Sequence, residues 1–180
     1  MEFKETPING VYIIKPNIFE DSRGYFSETF KQEEFEKNIG KINFIQDNES
    51  KSSYGVLRGL HFQKGEYAQA KLVRVIKGSV LDVVVDIRAN SPTFGKYFSQ
   101  ELTEKNKLQL FAPRGMAHGY VVLQNDTVFS YKVDNVYSPQ NEGGIVFNDP
   151  DLKIDWQVTS PQFLLSEKDM RLPLFKDIQF

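Results

Sequence analysis

The turn signals in this chain are closely and regularly spaced, and that spacing constrains the fold more than any other feature. Lys77-Gly78, Asn90-Ser91-Pro92, Glu104-Lys105-Asn106, Pro113-Arg114-Gly115 and Gln124-Asn125-Asp126 cut the sequence into short apolar runs. Runs of this length, rich in Val, Ile, Phe and Tyr, read as strands. They fall at 11–15, 25–30, 70–76, 80–87, 97–102, 108–112, 118–123 and 127–133. Within 80–87, Leu81, Val83, Val85 and Ile87 share one face, while Asp82, Val84 and Asp86 share the other. Lys77-Gly78 reads as a hairpin turn joining 70–76 to 80–87. Helices are few. The polar stretch 32–38, with Phe35 and Ile39 four apart and Gly40 as its stop, predicts a short surface helix. Ser166-Glu167-Lys168-Asp169 opens one more helical turn before Pro173. The expected fold is all-β: one domain over residues 1–180, a jelly-roll barrel or sandwich with a few short peripheral helices.

Composition narrows the function. The 180 residues include 15 Phe and 8 Tyr and are 40% hydrophobic, enough apolar surface for a packed core and too much for a disordered chain. Acidic side chains number 24 and basic ones 22, a net charge of -2. No basic excess points to nucleic acid, so an anionic ligand must be held by a few placed cations. Cysteine is absent, which excludes disulfides, thiolate nucleophiles and cysteine metal sites. His61 and His118 are the two histidines. The first seven residues carry acids and no apolar run, and no stretch is long enough to span a membrane, so a cytoplasmic location is expected.

Two segments centre on those histidines. In Leu57-Arg58-Gly59-Leu60-His61-Phe62-Gln63, strict strand alternation puts Arg58 and His61 on opposite faces. Gly59 offers a bulge that brings both to one pocket. In Pro113-Arg114-Gly115-Met116-Ala117-His118-Gly119, a Pro-x-Gly turn feeds a histidine at a strand start, which resembles the second motif of the cupin superfamily. Metal cupins carry His-x-His and a carboxylate in the first motif. Here that stretch is His61-Phe62-Gln63, so a metal-free member is expected. Ser166 to Asp169 reads by itself as a capping box, with Asp169 reaching back to a backbone amide. It gains interest only if Asp169 meets His61. Phe129, Tyr131 and Val133 line one strand face. Asp21 to Glu28 reads as a surface turn followed by a strand.

Taken in order, a longer set of segments covers almost the whole chain. It runs through Asp21-Ser22-Arg23-Gly24 with Phe26 and Glu28, Gln46-Asp47-Asn48, the His61 and Lys71-Leu72-Val73 segments, and the His118 segment. It continues through Tyr131-Lys132, Tyr137, Asn148-Asp149-Pro150-Asp151, Ile154-Asp155-Trp156 and Ser166-Glu167-Lys168-Asp169. The ordered set resembles the dTDP-4-dehydrorhamnose 3,5-epimerase family of cofactorless cupin enzymes. The resemblance implies His61 as general base, Asp169 as the carboxylate orienting it, and Tyr131 as general acid across the sugar. It implies Lys71 at the enolate oxygen, with Arg58 and His118 close by. Arg23, Arg58 and Lys168 are implied for the pyrophosphate, Phe26 for the thymine, and Glu28, Gln46 and Asn48 for polar edges of the nucleotide. Tyr137 and Glu142 complete the substrate-binding candidates. The segment 23–28 is implied to complete the pocket of a partner subunit in a homodimer.

The chemistry is coherent on its own terms. Inverting a carbon beside a ketone needs a base on one face and a proton donor on the other. Histidine, ordinarily near a pKa of about 6.5, suits the first role, and tyrosine, ordinarily near about 10, suits the second. The substrate the resemblance implies is a dTDP-linked 4-keto-6-deoxy sugar, inverted at C3 and C5. An epimerase acting at C3 or C5 only, a metal-dependent cupin and a non-catalytic nucleotide-sugar binding module are the competing readings.

Overall fold

The computed structural model describes residues 1–158 and 163–179. The N-terminal part supplies β1 (Glu2–Glu5), β2 (Tyr12–Lys15), β3 (Ile18–Asp21), β4 (Gly24–Ser27) and α1 (Gln32–Asn38). The body of the fold follows as β5 (Gln46–Ser52), β6 (Leu57–Gln63), β7 (Lys71–Lys77), β8 (Ser79–Asp86) and β9 (Tyr97–Thr103). It continues with β10 (Gln109–Ala112), β11 (Met116–Val122), β12 (Thr127–Val133) and β13 (Glu142–Gly144), and α2 (Glu167–Met170) comes last. A six-stranded sheet has the order β1-β2-β10-β7-β12-β5, and a five-stranded sheet the order β13-β6-β11-β8-β9. All the paired strands are antiparallel. This is the all-β jelly-roll sandwich expected for a cupin, with two short α-helices at its periphery.

Apolar alternation explains the layers. Val73 and Val75 from β7, Leu110 from β10 and Phe129 from β12 meet Val80 and Val84 from β8 between the sheets. The opposite face of β8, with Leu81, Val83 and Val85, packs under the C-terminal segment against Ile145, Leu152 and Trp156. On the outer face of the six-stranded sheet, Phe35 of α1 covers Ile14, Leu72 and Phe111. Each such side chain, fully buried, contributes about 1.5–3 kcal/mol of apolar transfer.

Three expectations change. Lys77-Gly78 is not a hairpin: β7 and β8 belong to different sheets, and Gly78 carries the chain from one to the other. A Cβ on Gly78, at φ +83°, would collide with Thr127, so the crossover needs glycine. The strand expected at 25–30 ends at Ser27, where β4 closes a separate two-stranded hairpin with β3. Strands β1 and β5 carry almost no apolar signal because they are the outer strands of the six-stranded sheet.

Candidate active site

A cleft of about 600 Å³ opens between the sheets. The register of β6 against β11 explains how its wall is made. His61 pairs with His118 and Arg58 with Tyr120, so three steps on β6 face two on β11. The extra residue is a bulge at Gly59-Leu60, as the glycine suggested. Gly59 needs its bare α-carbon, because a Cβ there would lie 2.6 Å from the Gly119 Cα. The bulge restores phase, and Arg58 and His61 both line the cleft.

His61 Nε2 lies 2.6 Å from Asp169 Oδ1. Burial works to raise the Asp169 carboxyl, but its bond to His61, that residue's charge and the Ser166 hydroxyl together hold it below the usual carboxylate range. An ionised carboxylate only accepts, so Nε2 donates in this pair and Nδ1 is the ring nitrogen left outside it. The capping expectation is half right. Ser166 Oγ accepts the Asp169 amide at 3.1 Å, while the Asp169 side chain turns to His61 rather than to a local amide.

The other wall carries Tyr131, on β12, and Lys71, at the start of β7. Desolvation pushes the Tyr131 phenol up, opposed by the positive charge of Arg58, so it stays protonated at neutral pH. Desolvation lowers Lys71 to about 8, with Asp82 and Glu142 acting to raise it. Asn48 and Lys168 line the same cleft. Gln46 reaches it indirectly, donating to Asn48 Oδ1 at 2.8 Å. Tyr137 and Glu142 line an adjoining cleft that shares Lys168. There Glu142 Oε2 accepts both the Tyr137 hydroxyl at 2.7 Å and the Lys168 ammonium at 2.5 Å. Arg23, Phe26 and Glu28 are not brought to the cleft. They are exposed, and Arg23 pairs with Asp21, its near neighbour in the hairpin.

The family model of dTDP-4-dehydrorhamnose 3,5-epimerase matches residues 5–177. The Escherichia coli K12 enzyme of that name is 50% identical over 173 residues, 96% of this chain and 93% of its own. This chain belongs to the dTDP-4-dehydrorhamnose 3,5-epimerase family. The epimerase of that name from Elizabethkingia anophelis superimposes with a TM-score of 0.97 at 54% identity, covering 100% of this chain and 99% of its own. The dTDP-6-deoxy-D-glucose-3,5-epimerase of Legionella pneumophila, solved with dTDP-4-keto-L-rhamnose, gives 0.95 at 43% identity over 99% and 94% of the two chains. As a member of this epimerase family the chain is an isomerase.

Two residues in or against the cleft, Tyr120 in its lining and Asp82 behind His118, were not among the candidates read from the sequence. Asp82 has no exposed surface, and its Oδ2 lies 2.8 Å from His118 Nε2. Burial raises its carboxyl, opposed by His118 and Lys71. The signal was present, since an acid inside the apolar run 80–87 needs a partner. Tyr120 stacks on Phe129 with ring centroids 4.1 Å apart, and its hydroxyl shares a 2.8 Å hydrogen bond with Ser50. It sits two residues beyond His118, on the same strand face. Among the described residues no helix is long and apolar enough to cross a membrane.

Proposed function

We propose that this epimerase converts dTDP-4-dehydro-6-deoxy-D-glucose to dTDP-4-dehydro-L-rhamnose by inverting C3 and C5 beside the 4-keto group. The observation that carries the mechanism is the division of labour between the sheets. The oriented histidine, His61, stands on the five-stranded sheet, and the half-buried phenol of Tyr131 stands on the six-stranded sheet. A sugar held between them meets a base on one face and an acid on the other.

His61 Nδ1 takes the proton from the carbon next to the ketone, and the electron pair of that C–H bond moves to the ketone oxygen as an enolate. Asp169 steadies the imidazolium. Lys71, charged below about 8, stabilises the oxyanion, with His118 beside it in the cleft. The enolate collapses, and its carbon takes the Tyr131 hydroxyl proton from the opposite face. Solvent returns a proton to the phenolate and removes one from the imidazolium. The same groups serve the second carbon after the ring shifts.

Arg58 and Lys168 hold the pyrophosphate, and Asn48, set by Gln46, reads the nucleotide. Arg23, Phe26 and Glu28 act in the cleft of a second copy. In support, the β3–β4 hairpin pairs with neither main sheet. It also leaves Phe19 and Phe26, cross-strand partners on one face, 56% and 64% exposed, an apolar pair of the kind that marks interfaces. The working enzyme is a cytoplasmic homodimer whose chain, 1–180, is one catalytic domain. Turnover in deuterated buffer followed by NMR tests the reaction. Deuterium with inversion at both C3 and C5 supports it, while inversion at one carbon alone overturns the double epimerisation.

A further inference from the structure

Gln63 occupies the position where a metal cupin places its second histidine, and its side chain has a different task here. Gln63 and Ser138 are both buried, and Gln63 Oε1 accepts the Ser138 amide at 3.0 Å. Two neighbouring bonds lock the same joint. The Lys64 amide donates to the Asn141 carbonyl at 2.8 Å, and Asn141 Nδ2 donates to Ser138 Oγ at 2.7 Å. The loop held in this way carries Tyr137 at one end and Glu142 at the other, directly opposite Gln63 in the β6–β13 register. Glu142 gathers the Tyr137 hydroxyl and the Lys168 ammonium on one oxygen. Lys168 precedes Asp169, the partner of His61, and the His61 charge also acts on Glu142.

We propose that Gln63 is a positioning residue for the Tyr137–Glu142–Lys168 cluster. Through the Ser138 amide it fixes the height of the loop above the cleft, and so sets where these three polar groups meet the substrate. Without the acceptor oxygen the buried amide must find another partner, and the loop shifts to supply it. The proposal rests on the epimerase reading for its kinetic consequence, and on the hydrogen-bond geometry alone for its structural one.

The test is a double-mutant cycle on the full-length enzyme with the dTDP-4-keto-6-deoxy sugar. Gln63→Leu keeps the volume and removes the oxygen. It is expected to lower kcat/KM about tenfold, the loss of one well-placed hydrogen bond. In a Glu142→Gln background the same change is expected to lower it less than about twofold, because residues acting as a unit are not additive. Equal losses in the two backgrounds, or no loss in the first, overturn the proposal. Amide exchange at Ser138 separates this from failure of the epimerase reading. Gln63→Leu is expected to accelerate it at least about tenfold, whatever the substrate proves to be. Unchanged exchange overturns the positioning role, whereas a wild-type protein that leaves the sugar unchanged overturns only the epimerase reading. Should the leucine variant not fold, Gln63→Met replaces it under the same criteria.

Discussion

The sequence offers both His61 and Arg23 as site residues, and their surroundings differ in every respect that burial can change. The His61 partner, Asp169, has a side chain 6% exposed and sits 2.6 Å away, 108 residues along the chain. The Arg23 partner, Asp21, is two residues away, and their side chains are 87% and 50% exposed. The first pair is held by two elements packed on one core. The second is an ion pair in water, which salt and side-chain entropy weaken. The cleft is therefore organised within a single chain, while the hairpin leaves Arg23 and Phe26 exposed.

The sharpest break in this comparison comes from the organised side. His61→Asn is expected to keep the fold and lower turnover by ~10²–10⁴-fold, the span of general acid–base catalysis. Near-normal turnover by a folded variant would remove His61 from the role of base. Tyr131→Phe is expected to lower inversion about 10²-fold while hydron exchange at the same carbons falls less, because the base still works. Exchange and inversion must be measured at C3 and C5 separately. Wild-type inversion at both carbons would shift the acid role, with Tyr137 as the next candidate.

The exposed side is tested by mixing. Arg23→Ala is expected to raise KM about tenfold, in keeping with one exposed cation at a pyrophosphate, and to leave kcat near wild type. Co-expressed in equal amounts with His61→Asn, it should give roughly a quarter of the wild-type kcat/KM, above the roughly one tenth that Arg23→Ala shows alone. Half of randomly formed dimers are mixed, and each of those holds one complete cleft. If the hairpin served its own subunit, no complete cleft would form and no recovery would appear.

The smallest effect is in pH. The role proposed for Lys71 at the enolate needs its charge, so kcat/KM is expected to fall as pH rises through about 8. Lys71→Met should lose that limb along with most of the activity. For stability the sign is the reverse. The folded pKa lies below the ordinary lysine value of 10.5, so above pH 8 the unfolded chain binds more protons and this group favours folding as pH rises. Lys71→Met should flatten that rise in thermal melts. Arg23→Ala should leave both profiles unchanged, because it is exposed and titrates outside the range.

Residues whose partners lie close along the chain were the ones the sequence could reveal. Alternation in 127–133 put Tyr131 on the core-facing side, Gly59 announced the bulge that joins Arg58 to His61, and Ser166 announced its cap on the Asp169 amide. What needed a partner far along the chain stayed hidden. Lys77-Gly78 has the composition of a hairpin turn, but only the stacking of the two sheets makes it a crossover. Asp82 showed as an acid in an apolar run, without its claim on His118, 36 residues on. The Gln63 carboxamide gave no local hint of the Ser138 amide, 75 residues away.

The sequence by itself determined the class of fold, because alternation and turn chemistry are read within a few residues of each other. It also determined the chemical inventory, with two histidines, no cysteine and a near balance of charge. Only the tertiary structure decided which groups meet and which become desolvated. Burial is a property of the packed whole: the Lys71 ammonium is lowered to about 8 only once two sheets close around it. Nothing in the residues beside it along the chain carries that information.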